Sequence, residues 1–306
     1  MDIETLKIFC DVIKLRGFTQ AAAANSLTQS AVSQRLKNLE KEFGLCLIDR
    51  HGTELHLTRA GEVVYKGAMR ILADLRDVQE QLQEIGGKVG GSVRVAAIYS
   101  VGLYQLDPFV KSFLTNYPEI DVQIEYSRAN KIYEDLINGS IDLGIVAFPG
   151  HKPQLRSIPF KEDELVLICS PEHPFAQFES ISLKALSSQP LIAFQRDVPT
   201  RKVMTEILKE HGVVVNIKAE FDNIELIKRA VEIGLGIAVV PLTTIKTETK
   251  AGILKAMPFV EGPFKRPISL LYRRGKSLSL AARKFVAILT ERDEQEVSRS
   301  TASSPL

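Results

Sequence analysis

The chain has 306 residues, 45% of them hydrophobic and 25% charged, the ordinary balance of a globular protein with room for two or three domains and sizeable cores. The formal net charge is only +2, so bulk electrostatics do not announce a nucleic-acid partner, and any such case must rest on where the charges sit. Cys10, Cys46 and Cys169 have neither disulfide-framework nor metal-ligand spacing, which fits a reducing, cytoplasmic compartment without metal or other cofactor. The N-terminus lacks a basic segment and cleavage site, and no apolar run approaches the ~20 residues a bilayer span needs, so a membrane partner is not expected.

Residues 3–15 predict a helix, because Leu6, Phe9, Cys10 and Ile13 share one face, and Gly17 ends it. Thr19 is the expected cap of a second helix through Ala21–Ala24. A third runs from Gln29 to about Phe43, with Thr28 as cap and Gly44 as terminator. In it Val32, Leu36, Leu39 and Phe43 point inward, while Ser30, Gln34, Lys37 and Lys41, flanked by Ser33 and Asn38, point away. Small polar side chains at an exposed helix start suit entry into a major groove. They suit the solvated side of a plain helical bundle equally well.

Leu47-Ile48 and Leu55-His56-Leu57 flank a turn at His51-Gly52-Thr53 and predict a small hairpin, with Arg50 at the turn. Thr58 caps a long helix whose apolar residues Val64, Ala68, Ile71, Leu75, Val78, Leu82 and Ile85 alternate spacings of four and three. Such a heptad seam predicts pairing between two chains. Pairing also answers the charge problem: residues 1–60 carry eight Lys/Arg against seven Asp/Glu, and two headpieces would add their phosphate contacts.

Four glycines in GGKVGG, 86–91, cannot sustain a helix and mark a boundary and hinge. Beyond them strands and helices alternate, which predicts an α/β unit with mainly parallel sheets. Among the expected elements are one helix over 103–116, a strand over 165–170, a strand over 268–273 and a helix over 280–292. About 200 residues is generous for one sheet, so two lobes with a cleft are expected. Residues 293–306 are polar and Ser-rich and predict a disordered tail.

The strings FTQAAAANSLTQSAVSQRLKNLEKEFGLCLIDR (18–50), LTRAGEVV (57–64), NGSIDLGIV (138–146) and VEIGLGIAVVP (231–241), together with the glycine hinge, resemble the LysR-type transcriptional regulators. The resemblance covers nearly the whole chain to about residue 292. It implies an all-α winged helix-turn-helix at residues 1–58, a linker helix that dimerises at 59–86, a hinge at 87–91, and an α/β two-lobed, periplasmic-binding-protein-like effector domain at 92–292. Lobe I would hold about 92–163 and 268–292, lobe II about 164–267. The implied function is sequence-specific binding to double-stranded promoter DNA by a homodimer or tetramer answering a small-molecule effector, with RNA polymerase a partner to consider. Carried over by position, Thr28, Gln29, Ser30, Ser33, Gln34, Arg35, Lys37, Arg50, Thr58 and Arg59 fall where the family meets DNA. Ser30 stands where the family often has Pro, and Gln34-Arg35 reverses a frequent Arg-Gln order. Gln prefers adenine and Arg guanine, so the base preference there stays open. Ile48 replaces a usual Phe.

The resemblance places the ligand between the lobes, at loops after strands and at helix starts. The candidates are Ser100, Val101 and Gly102 after the first strand, Arg128 and Asn130, Phe148, Thr200 and Arg201 at a helix opening, and Asn223. Thr200 and Asn223 would serve as caps, as ligand contacts or as both. The helix starts, with Ser100, Thr200 and Arg201, point to a small anion. Two rivals fit less well. Gly234-Leu235-Gly236 follows a helix rather than a strand and lacks the third glycine of a dinucleotide fingerprint, and Ser100 lacks a nucleophile-elbow context, so no enzyme is expected. A solute-binding protein for transport would have a signal peptide and no headpiece.

Overall fold

The computed structural model describes residues 2–49, 55–86, 90–275 and 278–291. Arg50 and the turn at 51–54, most of the glycine hinge, Arg292 and the tail lie outside the described residues. Two compact units result: residues 1–89 with the short segment 137–140, and the remainder.

The first unit opens with α1 (Ile3–Lys14), capped by Asp2, whose Oδ1 accepts from the Thr5 amide at 2.7 Å. α2 (Phe18–Ala24) starts earlier than expected: Gly17, not Thr19, is its cap residue, because Phe18 is drawn onto the core and takes the helix start with it. α3 (Gln29–Phe43) is capped by Thr28 and ends at Gly44, whose φ of +67° is the left-handed conformation that favours glycine. Val32, Leu36 and Leu39 join Ile8, Phe9, Val12 and Ala21 in one core. Phe43, expected in that stripe, is exposed, since the last helical turn overruns the core. The hairpin pairs β1 (Ile48–Asp49) with β2 (His56–Leu57). α4 (Arg59–Ile85) has Thr58 as its cap. Its start packs on α1 through Ala68 and Met69, so the upper seam serves its own unit. Ile71, Val78, Leu82 and Ile85 stand 44, 53, 62 and 82% exposed, and the lower seam faces outward.

The second unit begins with β3 (Gly91–Ala97). In place of one expected helix there are two, α5 (Tyr99–Gln105) and α6 (Asp107–Asn116), broken at Leu106 ahead of Pro108. Then follow β4 (Ile120–Tyr126), α7 (Ala129–Asn138), β5 (Leu143–Ala147), β6 (Leu155–Cys169), β7 (Pro190–Phe194), α8 (Pro199–Glu210), β8 (Asn216–Phe221), α9 (Ile224–Glu232), β9 (Ile237–Pro241), α10 (Lys246–Lys250), β10 (Lys255–Met257), β11 (Phe264–Arg273) and α11 (Leu280–Thr290). The strand order is β4-β3-β5-β11-β6-β9-β7-β8, with β10 beside β6. β3 is parallel to β4 and β5, and β7 is parallel to β8 and β9, which leaves one parallel set in each lobe. β6 and β11 are far longer than the sequence suggests. They run antiparallel through both lobes, so the sheet is mixed rather than mainly parallel. One core gathers on β3, β5 and α11, and two more on either face of the β7–β9 set. The C-terminal ends of both parallel sets face a cleft, the place where open α/β sheets bind ligands.

Candidate functional site

Two surfaces bear on function, one in each unit. On α3, Thr28, Gln29, Ser30, Gln34 and Lys37 are exposed and Ser33 is half-buried. Because the apolar stripe holds the helix down, its polar start is what it offers to solvent. Thr28 Oγ1 caps the Ala31 amide at 3.2 Å and lies 3.0 Å from Ser30 Oγ. Gln34 Nε2 donates to Asn38 Oδ1 at 3.1 Å, which orients its amide along the exposed face. Arg35 turns instead to α1, where it meets Glu4 at 2.9 Å. The Thr58 hydroxyl accepts from the Gly61 amide and donates to the Cys46 carbonyl, so it works inside the fold, while Arg59 is exposed.

The cleft of the second unit, with a cavity of about 60 Å³, is lined among others by Ser100, Arg128, Asn130 and Thr200, four of the expected residues. Thr200 sits in the first turn of α8, not at its cap; Val198 is the cap residue and makes no side-chain cap bond. At 4% exposure, Thr200 is a buried hydroxyl on the cleft wall. The other expected residues are elsewhere. Val101 is in the core, and a side chain at Gly102 would meet the Tyr126 ring at 2.4 Å, because α5 turns these two inward. Phe148, at φ 49°, packs against the cores of both lobes. Arg201 bonds to the Phe194 carbonyl and pairs with Glu220 at 3.4 Å, away from the cleft. Asn223 caps α9, accepting from the Glu225 amide at 2.8 Å.

Arg128 crosses the mouth of the cleft. Its guanidinium donates to Asp222 and to Gln195 Oε1 and lies 3.6 Å from Asp197. The hydrogen bond from Arg128 holds the Asp222 carboxyl below the usual carboxylate range.

The residue that sequence reasoning missed is Arg266 on β11. It is 2% exposed and lines the cleft. Nη2 donates to Ser100 Oγ at 2.7 Å, while Nε and Nη1 are buried and find no hydrogen-bond partner among the described residues. Burial pushes this guanidinium down to about 10, against the pull of nearby Asp163, and it is a cation at neutral pH. An arginine just ahead of the mostly apolar run Ile268–Tyr272 was the available signal, but Lys265-Arg266-Pro267 reads as the end of a loop. Among the described residues no cluster of His, Cys, Asp or Glu could hold a metal.

Residues 3–62 match the model of the bacterial regulatory helix-turn-helix protein, lysR family, and residues 86–294 match the LysR substrate binding domain. The chain belongs to the LysR family of transcriptional regulators. Its relatives include the HTH-type transcriptional activator CmpR of Synechocystis, 30% identical over 95% of this chain and 96% of that one. Among solved structures, full-length OxyR from Pseudomonas aeruginosa superposes with a TM-score of 0.75 at 22% identity, covering 100% of this chain and 99% of that one. The regulatory domain of CcmR from Synechocystis, solved in complex with 2-PG, gives a TM-score of 0.60 at 26% identity over 71% of this chain and all of that one. As a LysR-family protein the chain is a DNA-binding transcriptional regulator modulated by an effector, not an enzyme. No helix among its described residues is long and apolar enough to cross a membrane.

Proposed function

We propose that this LysR-family regulator reads duplex DNA with the exposed start of α3 and senses a small anion in the cleft, through Arg266, Ser100 and Thr200. The observation that carries the sensing half is the buried guanidinium of Arg266, a residue of the cleft lining with two nitrogens left unpaired. A buried guanidinium with unmet hydrogen bonds is costly, and an oxyanion in the cleft would offer it acceptors that the protein does not supply. The Ser100 and Thr200 hydroxyls stand on the same lining. The 2-PG in the CcmR structure, an anionic metabolite, is consistent with this chemistry. Calorimetry of the full chain with anionic metabolites tests it. Binding that is lost in R266Q and weakened in S100A and T200A is expected, and uptake of neutral or cationic compounds only would overturn it.

The DNA contacts assigned are Gln29, Ser30, Ser33, Gln34 and Lys37 for base edges and groove walls, with Arg59 for the backbone. Residues 1–58 form the headpiece, 59–86 the linker, 87–91 the hinge and 92–292 the effector domain. Two chains pair along the lower seam of α4, whose exposed Ile71, Val78, Leu82 and Ile85 keep heptad order. The effector acts by favouring one lobe arrangement over another, which alters the spacing of paired headpieces and the bend of the DNA.

A further inference from the structure

We infer that Asp163 is a positioning residue that sets the affinity of the cleft for its anion: its carboxylate is the resident counter-charge of Arg266, and an effector binds in opposition to it. The inference rests on the anion reading above. Asp163 and Arg266 are direct cross-strand neighbours in the β6–β11 ladder, so the register forces the two charges together. Both side chains are 2% exposed. Yet they form no hydrogen bond: Arg266 Nη1 stands 3.8 Å from Asp163 Oδ2, beyond bonding range.

What holds the carboxylate in place is its other partners. Oδ2 accepts from Gln105 Nε2 at 3.3 Å and from Thr243 Oγ1. Oδ1 accepts from the amides of Glu164 at 2.8 Å and Thr243 at 3.3 Å. Four donors satisfy Asp163 without Arg266. The guanidinium therefore has Coulombic compensation but only one of its hydrogen bonds, the one to Ser100. An incoming anion supplies an acceptor the guanidinium lacks and is at the same time repelled by Asp163, with little screening in a buried site. Gln105 belongs to α5 and Thr243 follows β9, so the same carboxylate joins an element of each lobe.

The test is calorimetry of the full chain with inorganic sulfate. Removing the counter-charge in D163N is expected to tighten sulfate binding at least tenfold, and R266Q and D163N/R266Q are expected to bind none. T243V removes a donor and leaves the charge, which frees the carboxylate to close on Arg266, so sulfate should weaken at least threefold. A gain in affinity is not what structural damage produces, which separates this role from a merely architectural one. D163N binding sulfate no more tightly than the parent, with R266Q silent, overturns the role of Asp163 and leaves the anion reading standing. Sulfate uptake indifferent to R266Q, or absent from the parent and D163N alike, overturns the anion reading itself. Should D163N fail to fold, T243V decides: unchanged or tighter binding overturns the proposal.

Discussion

Arg266 is the residue whose chemistry is least complete without a ligand. Removing one partner of a buried ion pair commonly costs about 3–5 kcal/mol, because the other charge is left uncompensated. R266M should therefore unfold more easily than the parent, since the buried Asp163 carboxylate loses its counter-charge, and should lose anion binding. Thermal unfolding beside calorimetry checks this, and a variant that still binds would contradict it. The cysteines give a second check at this scale. Burial pushes the Cys10 thiol up to about 12 and Cys169 up to about 11, whereas Cys46 is exposed. In native protein one thiol should react quickly, and peptide mapping should place it at Cys46. Ser100, Arg128, Asn130 and Thr200 were legible because each stands just after a strand or at a helix start, where such sheets gather ligands. Arg266 was not, because only the pairing of β11 with β6 shows that a Lys-Arg-Pro run lies inside the sheet.

Among the elements, the proposed function gives α3 the reading of DNA and α4 the pairing of two chains. Leu36 lies 2% exposed in the headpiece core, and L36A should cost about 2–5 kcal/mol and abolish DNA binding by unfolding α3 rather than by touching its outer face. Gln34 is exposed and, among the described residues, bonds to Asn38 alone, so Q34A should leave stability nearly unchanged and shift base preference. On α4, Leu82 is 62% exposed, and L82D should convert a dimer to a monomer in sedimentation while its circular dichroism stays that of the parent. An unchanged mass would remove the seam from the interface. The helices of the headpiece were legible because caps and 3.6-residue periodicity are local signals; Thr28, Gly44 and Thr58 lie where the sequence puts them. The crossover strands were half legible. Residues 155–164 of β6 carry Arg156, Lys161, Glu162 and Glu164, too polar to read as a strand, and only long-range pairing with β11 makes them one.

At the scale of the whole molecule, two lobes close over the cleft with an ion pair at its mouth. Arg128 depresses the Asp222 carboxyl below its ordinary value, so the pair contributes above the unfolded carboxylate pKa near about 4 and is lost as pH falls through the lower folded value. X-ray scattering on the effector domain's lobes should accordingly show opening below about pH 4 in the parent, and no such step in D222N. The two-lobed α/β class could be read from the alternation of elements. The mixed sheet could not, because direction is set by partners far apart in sequence rather than by local pattern. The central claim, that the exposed start of α3 meets a duplex, is most directly tested by fluorescence anisotropy of the full chain. Its own upstream region would be compared with a scrambled duplex of equal length at moderate salt. Tighter binding to the upstream region, reduced to the scrambled level in S30A/Q34A, is the expected result; equal affinity for the two duplexes, with and without added anions, would contradict it.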